Sequence, residues 1–145
     1  MSDIIWTINP ENDSFEKIIK RMRSLSYNLL HAKNIDFSFR ADETLNELTT
    51  TMEKRKTFYL IFKEAINNLV KYAEATRVSI NLSKSDQLVS LVVRDNGKGF
   101  DVKKLSSGNG IKNMKKRAKE INGALTIESQ SGEGTTIELK FRPWT

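Results

Sequence analysis

The chain has 145 residues, a formal net charge of +6 at pH 7 and no cysteine. This length suits one domain with a sizeable core, and the lack of cysteine excludes a disulfide framework and a thiolate metal site. No apolar run is long enough to span a membrane and no signal-peptide pattern opens the chain, so we expect a cytoplasmic domain that makes no membrane contact itself.

The first predicted helix begins after Pro10, which disfavours helix across Asn9, and either Asp13 or Ser14 can cap it. Its predicted core residues recur at helical spacing: Phe15, Ile18, Ile19, Met22, Leu25 and Leu29. His31, the only histidine of the chain, falls near the end of this helix. A cation suits the helix dipole there, so we interpret His31 as an ordinary surface or helix-end residue.

A second helical pattern runs over residues 58–75 and has two distinct sides. The apolar side carries Phe58, Phe62, Ala65 and Leu69, and the polar side carries Glu64, Asn68 and Lys71. Glu64 and Asn68 are one helical turn apart. We therefore expect their side chains to address the same space.

A strand-like apolar stretch over residues 88–93 leads into Asp95, Gly97 and Gly99. An aspartate after a buried strand can meet a ligand, while glycines allow the backbone to approach it closely. Taken alone, Asp-Asn-Gly between two elements fits an ordinary turn equally well. The segment becomes a candidate ligand loop only through its neighbours along the chain.

The third predicted helix opens with Gly108 and Gly110. Free backbone N–H groups and the positive end of a helix dipole make such a start suitable for phosphate. The core side of this helix carries Ile111, Met114, Ala118 and Ile121.

Five basic residues crowd the same helix: Lys112, Lys115, Lys116, Arg117 and Lys119. A basic stripe of this kind can bind nucleic acid. No aromatic base-stacking cluster accompanies it, so we favour a solvated helix face that also attracts nucleotide phosphates. We expect no nucleic-acid partner.

Alternating apolar residues predict five strands: Ile35, Phe37 and Phe39; Val78, Ile80 and Leu82; Leu91 and Val93; Leu125 and Ile127; and Ile137, Leu139 and Phe141. Together with the helices, these strands predict an α+β fold, a two-layer α/β sandwich in which helices back a mixed sheet. No Gly-x-x-x-x-Gly-Lys-Ser/Thr sequence occurs, so we do not expect a phosphate-binding loop of that type between a strand and a helix.

These segments, in this order, resemble the ATP-binding domain of sensor histidine kinases over roughly residues 34–142. Residues 64–73 resemble its N box, residues 95–100 and 108–114 its first and second glycine boxes, and residues 132–135 a third. The resemblance implies a Bergerat-type ATP-binding fold of the gyrase, chaperone, histidine kinase and MutL superfamily. The lid between the first two glycine boxes, residues 101–107, is short and looks most like that of the NarX, LytS and DesK subgroup.

The resemblance also implies two ligands, ATP and Mg²⁺, and a role for each matching residue. Asp95 would accept a hydrogen bond from the exocyclic amine of adenine, with support from Thr135 through water. Asn68 would help to hold Mg²⁺, and we prefer it to Asn67 because a spacing of four from Glu64 aligns better than a spacing of three. Glu64 would be catalytic, orienting the attacking nucleophile or accepting its proton.

The remaining ATP contacts would come from a basic residue near the phosphate tail and from the glycine boxes: Lys71, Gly97, Gly99, Gly108, Gly110 and Ile111. Tyr72 departs from the family pattern, since many relatives carry histidine at that position. Its interpretation stays open between a phosphate-side role and simple packing of the ring with an exposed hydroxyl.

Residues 1–13 are similar to the join between the last dimerisation helix and the ATP domain of large sensor kinases. We therefore divide the chain into that remnant and an ATPase domain at residues 14–145. His31 lacks the acidic neighbour of a phospho-acceptor, so the phosphorylated histidine would lie on a dimerisation domain outside this chain. The implied partners are that domain and a response regulator, within a homodimeric, membrane-anchored parent. Alone, the chain is expected to be inactive in autophosphorylation and largely monomeric. Trp6 and its apolar neighbours form the segment in which we expect any self-association.

Two functions remain open at this point. The first is the catalytic, ATP-binding half of a two-component sensor histidine kinase. The alternative is an anti-sigma-factor-type protein serine kinase of the same superfamily, in which the same boxes occur without a dimerisation helix. The coding sequence upstream of Met1 would distinguish them, since only the first function requires a phospho-acceptor histidine with an adjacent acidic residue.

Overall fold

A computed structural model describes residues 14–99 and 109–143. The helices are α1 (Phe15–Ala32), a 3₁₀ helix (Glu43–Glu47), α2 (Met52–Asn68), a π-helical turn (Leu69–Ala73) and α3 (Asn109–Glu120). The strands are β1 (Asp36–Ala41), β2 (Arg77–Ser85), β3 (Leu88–Asp95), β4 (Ala124–Ser129) and β5 (Thr135–Phe141). The expectations for residues 1–13, for the short lid and for Gly108 concern positions outside the described residues.

The five strands form one mixed sheet in the order β1-β2-β3-β5-β4. The β1–β2 pair is parallel and the other three pairs are antiparallel. Alternate residues of β2, β3 and β5 are buried, which leaves one face of the sheet covered and the other more open. The predicted fold class and all five predicted strands are confirmed. In the described part of the chain, no helix is both long and apolar enough to cross a membrane.

Helix α1 begins after Ser14, which is one of the two predicted N-cap residues. The Ser14 side chain nevertheless makes no capping hydrogen bond. Four of the six predicted core residues of α1 are buried, whereas Leu25 and Leu29 are only partly buried at the edge of the core. His31 is exposed in the last turn, and its ring stacks on Tyr27 with centroids 4.9 Å apart. The interpretation of His31 as a surface helix-end residue is confirmed.

Helix α2 differs from its predicted bounds at both ends. It begins at Met52, six residues before the predicted start, with the Thr51 hydroxyl accepting a hydrogen bond from the Lys54 N–H at 3.1 Å. The first turns were missed because residues 53–57 are mainly charged, yet Arg55 is 1% exposed and donates to the Thr50 carbonyl at 2.6 Å. Beyond Asn68 the backbone continues as the π-helical turn instead of an α-helix reaching residue 75.

An aromatic cluster joins three elements at the centre of the core. Phe58 of α2 lies 5.4 Å from Phe15 of α1 and 5.1 Å from Phe141 of β5, measured between ring centroids. All three side chains are at most 1% exposed. Such pairs add to the free energy gained from burying the rings. The cluster therefore holds both α1 and α2 against the sheet.

We expect Phe58→Ala to lower the free energy of unfolding by about 3–5 kcal/mol, because it removes a buried ring and leaves a cavity between three elements. Urea unfolding followed by circular dichroism would measure the change. Tyr27→Ala is the matched control, since this ring is 56% exposed, and it should change stability by less than about 0.5 kcal/mol. Equal losses for the two variants would contradict this view of the core.

Candidate active site

A cavity of about 630 Å³ lies where the sheet meets α2, the π-helical turn and α3. Eight predicted site residues line it: Glu64, Asn68, Lys71, Asp95, Gly99, Gly110, Ile111 and Thr135. Gly97 is not among the lining residues. Residues separated by up to 71 positions in the chain are thus brought together around one space.

The apolar wall of the cavity comes largely from residues that the sequence analysis assigned to strands but not to the site. Val93, Ile137 and Ile127 lie in register across β3, β5 and β4 and form a continuous row. Strand alternation could also have placed two of them in the site, because Val93 precedes Asp95 by two residues and Ile137 follows Thr135 by two. The row gives the cavity a flat apolar surface suited to a planar ring.

Asp95 is the last residue of β3 and points a nearly buried carboxylate into the cavity, with 8% of the residue exposed. Its Oδ1 accepts a hydrogen bond from the Gly97 N–H at 2.8 Å, and the Thr135 N–H of β5 also donates to the carboxylate. Burial raises the pKa of Asp95, and these two N–H donors only partly oppose that effect. The fold therefore holds the Asp95 carboxylate in one orientation as a hydrogen-bond acceptor, although burying its charge lowers the stability of the folded chain.

Gly97 acts on the site through the backbone. A Cβ added at this position would overlap the carbonyl of Ala73, at the end of the π-helical turn. Next to it, the Lys98 N–H donates to the same carbonyl at 2.7 Å. Only a residue without a side chain fits such close backbone packing, so glycine is required here for the approach and for placing its N–H on Asp95.

The polar end of the cavity is built from α2, the π-helical turn and the start of α3. Glu64 and Asn68 lie one turn apart and both line the cavity, as predicted, with Lys71 beyond them. A Cβ on Gly110 would overlap the Asn68 side-chain amide, so the beginning of α3 lies directly against Asn68. A helix start presents backbone N–H groups without intrahelical partners, which suits an anionic group.

The π-helical turn places two more side chains at the mouth of the cavity. Lys71 is exposed, and Tyr72 is 63% exposed while also lining the cavity. Tyr72 therefore does not bury its ring in the core. Single turns of π-helix occur frequently at functional sites.

The donor set constrains how a metal could bind. In residues 14–99 and 109–143, no group of three or more histidine, cysteine, aspartate or glutamate side chains could hold a metal ion. Asn68 lines the cavity, whereas Asn67 does not. A single amide oxygen suits Mg²⁺ that is held mainly by phosphates and water, which is its usual mode with nucleotide substrates.

The family model for the histidine kinase-, DNA gyrase B- and HSP90-like ATPases matches residues 53–145. The chain is also similar to the sensor protein VraS of Staphylococcus aureus, with 41% identity over 83 residues. This match covers 57% of the chain and 24% of VraS. The chain thus spans about a quarter of the length of this relative.

Solved structures show the same fold at low sequence identity. The histidine kinase domain of the blue-light activated kinase EL346 from Erythrobacter litoralis superposes with a TM-score of 0.74 at 15% identity, covering 87% of this chain and 61% of that one. Full-length ShkA in complex with AMPPNP superposes with a TM-score of 0.71 at 18% identity, covering 88% of this chain and 30% of ShkA.

Without nucleotide, we expect Asp95→Asn to be more stable than the wild type at neutral pH. The pKa of Asp95 is raised above its ordinary value of 3.8, so the folded chain binds more protons than the unfolded chain between these two pKa values, and stability falls as the pH rises through that window. Asparagine removes the buried charge and keeps an oxygen for the Gly97 N–H.

The stability difference between Asp95→Asn and the wild type should shrink as the pH falls through the folded-state pKa of Asp95 towards 3.8. Urea unfolding of both proteins at several pH values would measure it. An Asp95→Asn protein that is less stable than the wild type at neutral pH would contradict the expected cost of burying the carboxylate.

Proposed function

The chain belongs to the family of histidine kinase-, DNA gyrase B- and HSP90-like ATPases, and we propose that it binds Mg-ATP and supplies the γ-phosphate that phosphorylates a histidine on a separate dimerisation domain. One observation carries this proposal. A buried carboxylate and, beside it, the apolar row of β3, β5 and β4 line one part of the cavity, while Glu64, Asn68 and the start of α3 line another. The apolar part with its hydrogen-bond acceptor suits a nucleotide base, and the polar part suits phosphates.

Adenine would occupy the end of the cavity next to Asp95. The Gly97 N–H fixes one carboxylate oxygen, which leaves acceptor capacity for the exocyclic amine of adenine. The apolar row on β3, β5 and β4 would cover one face of the ring, and Thr135 would support the contact at Asp95 through water. A base that presents a carbonyl in place of the amine would leave the carboxylate without a donor.

The phosphates would lie towards α2 and α3. Lys71 would attract the phosphate tail, and the backbone N–H groups at Gly110 and Ile111 would approach it. Gly99 and Gly108 are proposed as further contacts of ATP. Asn68 would contribute an oxygen to Mg²⁺, which supplies charge neutralisation of the phosphates when bound. The proposed role of Asn68 in holding Mg²⁺ rests on the position of its side-chain amide next to Gly110, at the start of α3.

Glu64 is the residue of the polar end best suited to act on the nucleophile. It is half-buried, lines the cavity and is one turn from Asn68. We assign it the role of orienting the imidazole of the incoming histidine, or of accepting the proton from its attacking nitrogen. This placement lets one helix hold both the metal ligand and the group that faces the nucleophile.

The wider role belongs to a longer parent protein. We infer a homodimeric, membrane-anchored sensor kinase whose ATPase domain lies in the cytoplasm and whose phosphoryl group passes to a response regulator. The similarity to a protein named as a sensor supports a sensor histidine kinase over the serine kinase alternative.

We expect Asp95→Asn to weaken ADP binding by about tenfold or more, because the amide presents a donor where adenine requires an acceptor. Calorimetric titration with ADP in the presence of Mg²⁺ would measure the affinity. Asp86→Asn is the matched control, since Asp86 lies in the exposed β2–β3 turn. Equal affinities of wild type and Asp95→Asn would remove adenine recognition from this residue.

We expect Glu64→Gln and Asn68→Ala to fail in different steps. Glu64→Gln keeps shape and hydrogen bonding, so nucleotide affinity should stay within about threefold while phosphoryl transfer to a supplied dimerisation domain slows by about 10²-fold or more. Asn68→Ala should instead reduce the gain in ATP affinity that Mg²⁺ provides. The measurements are a reconstituted transfer assay and parallel titrations with and without Mg²⁺.

Glu120→Gln, at the exposed end of α3, is the control for loss of a carboxylate. Phosphoryl transfer by Glu64→Gln at the wild-type rate would show that the catalytic role assigned to Glu64 is wrong. Wild-type Mg-ATP affinity in Asn68→Ala would exclude the metal role of Asn68 without affecting the assignment of Glu64.

A further inference from the structure

Asn96 follows the buried Asp95 but does not line the cavity. Its side chain makes three hydrogen bonds elsewhere. Oδ1 accepts hydrogen bonds from the Thr76 N–H at 3.0 Å and from the Arg77 N–H at 2.9 Å, and Nδ2 donates to the Thr76 hydroxyl at 2.9 Å. The Asn96 N–H also donates to the Arg77 carbonyl at 3.2 Å. One residue thus makes four hydrogen bonds to a segment about 20 positions earlier.

That segment connects the helix of the polar end to the sheet. Residues 74–76 lie between the π-helical turn, which carries Lys71, and β2, which begins at Arg77. Further contacts join the same two stretches, since the Lys98 N–H donates to the Ala73 carbonyl and the Lys98 ammonium lies 2.9 Å from the Glu74 carboxylate. The ion pair is exposed and contributes little, so Asn96 provides most of the directional contacts.

We propose that Asn96 is a positioning residue for nucleotide binding, which fixes the loop that holds Asp95 to the exit of the helix that holds Asn68 and Lys71. This inference rests on the proposed function. The distance between the adenine end and the phosphate end of the cavity then depends on a side chain that touches neither part of the nucleotide. Loss of Asn96 should therefore weaken base recognition and phosphate binding together, whereas loss of Asp95 affects the base.

The chemistry of the contact explains why asparagine suits this position. A carbonyl oxygen has two lone pairs and accepts both backbone N–H groups, while the amide nitrogen supplies the donor for Thr76. Aspartate keeps the two acceptor bonds, and the Thr76 hydroxyl can rotate to donate to its second oxygen. Alanine removes all three side-chain bonds. Asn96→Asp is thus the conservative variant and Asn96→Ala the disruptive one.

The test is calorimetric titration of wild type and both variants with ADP and with GDP, with Mg²⁺, below the unfolding temperature of every protein. We expect Asn96→Ala to bind ADP about tenfold more weakly or worse and to show a smaller ADP-to-GDP preference. Asn96→Asp should stay within about threefold of wild type. Asp42→Ala is the control, because Asp42 also accepts hydrogen bonds from its neighbour Thr44 but lies in the loop after β1.

The base preference separates positioning from simple stabilisation. A purely structural role for Asn96 would lower the unfolding temperature of Asn96→Ala and leave its affinity and ADP-to-GDP ratio at wild-type values, which would overturn the inference. A wild-type chain that fails to bind ADP would overturn the proposed function and the inference with it. Wild-type binding together with unchanged binding by Asn96→Ala would overturn the inference alone.

Amide hydrogen exchange of the wild type decides the question even if Asn96→Ala does not fold. Thr76 and Arg77 donate their N–H groups to Asn96 and do not line the cavity. Saturating ADP should slow exchange at both amides, as it should at Gly97, because nucleotide binding stabilises the connected loops. Slower exchange at Gly97 with no change at Thr76 and Arg77 would overturn the inference.

Discussion

The site depends on the hydrogen bonds that hold one buried carboxylate, Asp95, at the end of β3. Asp95 lies opposite Thr135 in the antiparallel register, so the same pairing that builds the sheet also brings a backbone donor to the carboxylate. Burial raises the pKa of Asp95, which means that the fold keeps this group against its preference for water. A ligand that donates a hydrogen bond to the carboxylate recovers part of that cost.

The close packing around Gly97 extends this constraint to the helical layer. Gly97 donates to Asp95 and also lies against the carbonyl of Ala73, while Asn96 bonds the backbone of Thr76 and Arg77. Each hydrogen bond contributes about 0.5–1.5 kcal/mol, so no single contact dominates. Their arrangement is more informative than their energy. The bonds of Asn96 and the packing of Gly97 join the loop after β3 to the exit of the helix that lines the polar end, while the Gly97 N–H orients Asp95 within the same loop.

Much of the fold could be predicted from the sequence because its signals are local. Strand alternation identified all five strands, and the apolar spacing of Ile111, Met114 and Ala118 identified the buried face of α3. The start of α2 was missed because Arg55, although charged, is buried, which breaks the expected periodicity.

The features of the site that were missed depend on contacts between distant segments. The π-helical turn ends against the loop after β3, and the bonds of Asn96 go to residues that no local pattern connects with it. Asp-Asn-Gly was interpreted as a turn or a ligand loop from its composition. Neither interpretation could indicate that the asparagine holds a different segment, since its partners are fixed only when the sheet forms.

Two glycines of the cavity lie on either side of one stretch of the chain. Residues 100–108 join Gly99 to α3 along the chain, and Gly99 and Gly110 both line the cavity. Gly110 lies so close to Asn68 that a methyl group would not fit between them. The residues on either side of this stretch therefore both belong to the wall of the cavity. Asn96 and Gly97 hold the stretch before it, because they bond or pack against residues 73–77, and the contact of Gly110 with Asn68 holds the beginning of α3 after it.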